Sequence, residues 1–140
     1  MAYLFDTDAI SEVLRRRPAL SYARWLRTVP RGEQFTSAVV IGELFKGAFR
    51  SPNTARHLAG IEKEILPALT VLPYDVPVAR LFGHLKADLE RRGHGLADAD
   101  VQIAATAIQH DLELVSGNLR HFARVPGLRL SRVLAATRPP

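Results

Sequence analysis

The stretch "GLADADVQIAATAIQHDLELVSGN", residues 95–118, holds a helix, a strand and the turn beyond it. Over about 98–110, Val101, Ile103, Ala104, Ala105, Ala107 and Ile108 fill a wide apolar arc at helical spacing. Gln102, Thr106, Gln109 and His110 form the polar side. "LELVS" at 112–116 then reads as a short buried strand. The two aspartates at the helix start project differently. Asp98 falls with the polar side and reads as the helix cap and a possible helper. Asp100 falls near the middle of the apolar arc. A carboxylate on a buried face must be paired, hydrogen-bonded or bound to a metal, so Asp100 is expected to be an inward ligand.

The same alternation continues in both directions. "AYLF" at 2–5 reads as a buried strand. Asp8 is expected to cap the helix "AISEVLRRR", which stops at Pro18. A second helix is expected over 19–27, and "EQFTS" at 33–37 is a strand ending in a Thr/Ser cap before the helix "AVVIGELFKGAF". A helix over about 54–66 precedes a strand, "LTVLPY", at 69–74. Asp75 then caps "VPVARLFGHLKADLERR", which Gly93 closes. A last short strand is expected in "LRLS" near 128–131. Strands alternating with helices imply a mainly parallel sheet with helices on both faces. With neither repeats nor a long linker, residues 1–140 are expected to form a single α/β domain.

In such folds a site lies beyond the carboxyl ends of the strands. The residues there are acidic or polar. Asp6 ends the first strand and Asp8 follows it, Asp98 and Asp100 open a helix, and Ser116 and Asn118 follow the fourth strand. Carboxylates gathered at one edge are tolerated where a hard divalent cation such as Mg2+ holds them. Strand-end aspartates also serve as turn formers and caps, the reading favoured for Asp8. Glu43, Lys46 and Arg50 share one stripe of their helix, opposite most apolar neighbours. On the helical wheel alone Glu43 is therefore a surface residue, paired with Lys46.

Composition narrows the function classes. Hydrophobic residues make up 47% and charged residues 24%, as in an ordinary globular protein. No apolar run approaches the roughly 18 residues of a membrane span, and "MAYLFDTDAI" lacks the basic start of a secretory signal. With no cysteine, disulfides, thiolate metal sites and a cysteine nucleophile are excluded. A cytoplasmic protein is the expectation. The net charge is +5 and mostly arginine, which suits phosphate and so nucleic acid, or else reflects a GC-rich genome. The histidines at 57, 84, 94, 110 and 121 lack zinc spacing. No nucleophile elbow, dinucleotide fingerprint or phosphate loop is present. "RRR" at 15–17 ends a helix and reads as a solvated face.

Taken together, "YLFDTDAISEVL", "SAVVIGELFKGA", "DADVQIAATAIQHDLELVSGNLRHF" and "VPGLRL" resemble, in order and spacing, the PIN-domain family, specifically its VapC-type toxin ribonucleases. The match runs nearly end to end. The resemblance implies a three-layer PIN-like fold. It also overturns the wheel reading of Glu43, implying that Asp6, Glu43 and Asp100 are metal-site acids, with Asp98, Ser116 and Asn118 secondary. Many relatives carry an aspartate where this chain has Asn118, which weakens any second metal or shifts it to Asp98. The Ser116 hydroxyl would orient a ligand or a water. It further implies a Mg2+- or Mn2+-dependent endoribonuclease that leaves 5′-phosphate and 3′-hydroxyl ends, a homodimer, and a VapB-like antitoxin; Lys46, Arg120 and His121 are the candidates to hold the RNA backbone. Two rival readings stay open. "LFDTDAI" also fits a haloacid-dehalogenase-type phosphatase with Asp6 as nucleophile and Asp8 as acid/base. A non-catalytic module binding RNA or a partner is the other.

Overall fold

The structure, a computed structural model, describes residues 1–138. Strand β1 (Tyr3–Phe5) lies at the centre of a five-stranded sheet with β2 (Gln34–Ser37), β3 (Thr70–Leu72), β4 (Glu113–Val115) and β5 (Leu130–Ser131), in the order β3-β2-β1-β4-β5. Every neighbouring pair is parallel. Parallel strands are covered on both faces, and Leu4, Phe5, Leu114 and Val115 are accordingly buried. The helices are α1 (Thr7–Leu14), α2 (Leu20–Thr28), α3 (Ala38–Arg50), α4 (Thr54–Gly60), α5 (Val76–Arg91), α6 (Asp98–Gln109) and α7 (Leu119–Phe122). They complete the expected three-layer α/β arrangement.

The chain builds β1, β2 and β3 outward in one direction, then returns to lay β4 on the other side of β1. That reversal opens a crevice beyond the carboxyl ends of β1 and β4, where ligands bind in such sheets. The Asp6 amide bonds the Val115 carbonyl at 3.2 Å, carrying the pairing one residue past β1. The edge of the crevice is therefore held by backbone.

Several helix ends follow the sequence. Ser37 accepts the Val40 amide at 3.1 Å, and Asp75 accepts the Val78 amide at 3.3 Å. Gly93 takes φ 72° after α5, a left-handed cap that glycine adopts at little cost. Others depart from it. Asp8 is not the cap of α1. The chain leaves β1 so directly that Asp6, in extended backbone, takes that place and accepts the Ala9 amide at 2.8 Å. Helix α1 also ends at Leu14 rather than at the third arginine. Glu12, buried, reaches forward to accept the Ala19 amide at 3.1 Å, which requires an extended chain before Pro18.

The helix expected over 54–66 is α4 followed by a π turn, Ile61–Ile65, across which both isoleucines are buried. The short α7 was not foreseen, because four residues carry too little periodicity. Thr106, assigned to the polar side of α6, is buried. Its hydroxyl is satisfied by the Gln102 carbonyl at 2.8 Å, which lets a polar side chain lie in the core.

Candidate functional site

Asp6, Glu43 and Asp100 come from three different elements and line one cavity of about 300 Å³ at the carboxyl edge of the sheet. Thr7, Asp8, Ile103, Asn118 and Phe122 complete its wall. Asp6 is aimed by its cap role, which turns its carboxylate inward at the start of α1. Asp100, half-buried in the first turn of α6, points as the apolar arc predicts. Glu43 is half-buried and faces the cavity, so the wheel reading of a surface residue is overturned here too. Glu43 itself is covered by the start of α1, while Lys46 and Arg50 on the same stripe remain exposed. The Thr7 hydroxyl donates to Glu43 Oε1 at 2.5 Å and fixes its direction.

The electrostatics are those of crowded acids. Burial pushes the Asp6 carboxyl up to about 7, against the Ser116 hydroxyl and the Ala9 amide, which favour its charge; Asp8 and Asp100 add repulsion. Burial, and then Glu43, also raise the Asp100 carboxyl above the usual range, while His121 acts the other way. These groups resist ionising together in the absence of a counter-charge.

The secondary residues divide. Ser116 is buried, and its oxygen accepts the Asn118 amide at 2.9 Å while its hydroxyl serves Asp6. It is thus engaged within the protein. Asn118 lines the cavity, and its side-chain nitrogen faces His121 Nδ1 at 2.9 Å. Asp98 is not brought to the site. It is the first residue of α6 rather than its cap, makes no capping bond, and pairs with Lys86 at 3.0 Å. The reason is the turn: Ala97 holds the cap position, so Asp98 starts the helix on its solvent side. Lys46, Arg120 and His121 are all exposed, Lys46 one turn beyond Glu43 and the other two on α7 beside Asn118.

Sequence reasoning did not single out three participants. Thr7 orients Glu43. Phe122 closes an apolar side of the cavity. Arg138 grips Asp8 through both oxygens, at 2.6 and 3.0 Å. Thr7 with Glu43 and Asp8 with Arg138 are long-range contacts, and nothing in the sequence pairs those positions. That grip also removes the free carboxyl group that a phosphatase would need at Asp8 as acid/base.

A second depression of about 470 Å³ runs from the cavity between α1, α3 and α4, sharing Thr7 and Glu43 with it. Leu44, Ala48 and Ile61 contribute apolar surface to it, and Arg15, Arg16 and Arg56 line it as well. The three arginines at 15–17 are exposed, as a solvated face requires, and Arg15 and Arg16 also line one wall of this depression. No helix among the described residues is long and apolar enough to cross a membrane.

Residues 3–128 match the family model of the PIN domain. The chain is similar to ribonuclease VapC2 of Haemophilus influenzae, 37% identical over 129 residues, or 92% of this chain and 96% of that protein. It is 33% identical, over the same shares of both chains, to a tRNA(fMet)-specific endonuclease VapC of Shigella flexneri. Among solved structures it resembles FitAcB from Neisseria gonorrhoeae, with a TM-score of 0.82 and 30% identity over 94% of this chain and 97% of that one. It also resembles VapBC2 from Rickettsia felis bound to a DNA fragment from their promoter, with a TM-score of 0.86 and 25% identity over 94% of this chain and 98% of that one.

Proposed function

This chain belongs to the PIN-domain family, and on that premise we propose that it is a divalent-cation-dependent endoribonuclease, the VapC-type toxin of a toxin–antitoxin pair. The observation that carries the reading is the convergence of Asp6, Glu43 and Asp100 on one cavity where two of the three are held above the usual carboxylate range. Oxygen donors that repel one another are the donor set of a hard cation such as Mg2+ or Mn2+. Among the described residues no three acidic or histidine side chains lie close enough to ligate one ion directly. An ion here would be held by one or two carboxylates and by the others through water, as magnesium commonly is.

When bound, such an ion supplies Lewis-acid activation of water and neutralises charge building on the phosphate. The chain's own part is orientation. Thr7 fixes Glu43, Ser116 and the Ala9 amide fix Asp6, and the apolar arc of α6 fixes Asp100. Phe122 and Ile103 shield one side of the cavity from bulk water. In-line attack of water with departure of the 3′ oxygen leaves 5′-phosphate and 3′-hydroxyl ends. Lys46, exposed one turn beyond Glu43, and Arg120 and His121, exposed on α7 after Asn118, would hold the backbone of a single-stranded loop. Asn118 contributes a neutral group where an aspartate would strengthen a second ion.

The VapBC complexes among its relatives support a VapB-like partner for this chain; a homodimer in the cytoplasm is the remainder of the reading. The depression beside α1 opens into the cavity through Thr7 and Glu43. A partner segment lying there would cover the approach to the carboxylates.

The test is digestion of a structured RNA with Mg2+ or Mn2+, with chemical mapping of the ends. Cleavage that stops with chelator and leaves 5′-phosphates is expected from the unaltered protein and is lost in Asp6→Asn. Binding of RNA without any cleavage would favour the non-catalytic module, and cleavage unchanged in Asp6→Asn would remove this site from the reaction.

A further inference from the structure

Four carboxylates line the cavity, and Asp8 differs from the other three. Its Oδ2 accepts the Gly117 amide at 3.0 Å and Arg138 Nη1 at 2.6 Å, while its Oδ1 accepts Arg138 Nη2 at 3.0 Å. Both oxygens are thus occupied by a two-pronged guanidinium pair, the strongest geometry such a pair adopts. Arg138 is held from behind by Glu12, at 3.2 Å. Glu12 is buried and stays ionised: burial opposes its charge, but the Ala19 amide, Arg138 and Arg15 outweigh that. One arginine near the end of the chain therefore spans two acids one turn apart on the first helix.

The fit is close at the third partner as well. A methyl group on Gly117 would collide with both the Arg138 guanidinium and the Asp8 carboxylate. Gly117 lies between Ser116, which bonds Asp6, and Asn118, which lines the cavity. The clasp joins the turn after β1, the turn after β4 and the last described residue.

We propose that Arg138 is a positioning residue for the cation site: it holds Asp8 out of the set of ligands, so that three carboxylates rather than four are free to meet an ion. This rests on the reading of the cavity as a cation site. Without the guanidinium, Asp8 keeps one amide partner and one free oxygen at the cavity wall. The cavity gains a full negative charge and an oxygen donor, and the number of charged ligands is what tunes the affinity of such sites. Arginine suits the task because its fork occupies both carboxylate oxygens at once, which a lysine ammonium does not.

The experiment is titration of the full chain with Mn2+ by calorimetry, with electron paramagnetic resonance counting free ion. Arg138→Ala is expected to bind Mn2+ about tenfold more tightly than the unaltered protein, or to take up one more ion. Adding Asp8→Asn to Arg138→Ala is expected to remove the gain. Arg138→Gln, which keeps length without charge, is expected to show the same gain and replaces the alanine variant if circular dichroism shows that one unfolded. Equal or weaker Mn2+ binding in the folded variants overturns the proposal, because a merely structural arginine lowers stability without adding a ligand. A gain that survives Asp8→Asn overturns it too. If the unaltered protein binds no Mn2+, the three-carboxylate reading fails, while the difference between it and Arg138→Ala still decides the role of Arg138.

Discussion

The chain contains two Asp-x-Asp sequences, "DTD" at 6–8 and "DAD" at 98–100, and each opens a helix. Their members exchange roles. In the first pair the leading residue, Asp6, is buried in the cavity wall, and the trailing residue, Asp8, is tied to Arg138. In the second the leading residue, Asp98, is exposed and paired with Lys86, and the trailing residue, Asp100, lines the cavity. The difference lies in where the helix starts. Asp6 is the cap of α1 and still follows the strand, whereas Asp98 already lies inside α6. Two residues of a helix two positions apart diverge by about 200°. If Asp98 faces solvent, Asp100 must face inward.

The largest effects break or sharpen that contrast directly. Asp100→Ala is expected to slow RNA cleavage by about a thousandfold, the scale of losing transition-state charge stabilisation. Asp98→Ala is expected to stay within about twofold. Initial rates on one labelled RNA, at saturating Mg2+, compare them. Equal losses from both variants would mean that α6 presents its two acids to the same ion.

Asp6 gives the next effect, on stability. Its folded carboxyl is pushed up to about 7, from an unfolded value of 3.8. The folded protein therefore keeps this proton between about pH 4 and pH 7 while the unfolded chain releases it. The stability it contributes is full below that window and is lost as pH rises through it. A shift of this size corresponds to about 4 kcal/mol. The melting temperature without divalent ions is expected to fall by roughly 10 °C from pH 5 to pH 8. Mg2+ at pH 8 should restore much of it. Asp6→Asn, which keeps a capping oxygen, should flatten the profile. A flat profile in the unaltered protein would show that Asp6 is solvated as freely as Asp98.

Thr7, the residue between the first pair, has a smaller role. Its hydroxyl holds Glu43, so Thr7→Val leaves that carboxylate undirected. Loss of one hydrogen bond to a charged group is worth about 1.5–3 kcal/mol, reduced here by water reaching the cavity. Cleavage is expected to slow about fivefold, rescued by Thr7→Ser. No rescue by serine would show that the methyl group, and not the hydroxyl, matters there.

What the sequence made legible follows the range of each interaction. The alternation of strands and helices, the inward turn of Asp100 and the Ser37 and Asp75 caps depend on neighbours within a few residues. The wheel places Glu43 on an otherwise exposed stripe, and only the contact with Thr7 at the start of α1 covers it, which no wheel can show; the family resemblance supplies what periodicity lacks. Asp8 reads as a cap because aspartate caps are common, but its partner lies at position 138. Asp98 reads as a cap because helix starts attract acids, whereas Ala97 holds that position, a one-residue shift that composition does not encode.

The smallest effect concerns that misassigned residue. Asp98 gains from the helix dipole and from Lys86, but about two-thirds of its side chain is exposed, 69%. Exposed pairs of this kind contribute roughly 0–1 kcal/mol and fade with salt. Lys86 does more, since its ammonium also donates to the carbonyl of buried Leu96. Lys86→Ala is therefore expected to cost about 1–2 kcal/mol in urea unfolding and Asp98→Ala about 0.5 kcal/mol. The coupling between them in a double-mutant cycle should be under about 0.5 kcal/mol, and absent in 1 M salt. The corresponding cycle on Asp8 and Arg138 should give a larger coupling that survives the salt, because that pair is fork-shaped, partly shielded and backed by buried Glu12. Equal couplings would place the two ion pairs on the same footing, leaving the helix start as the sole difference between the two aspartate pairs.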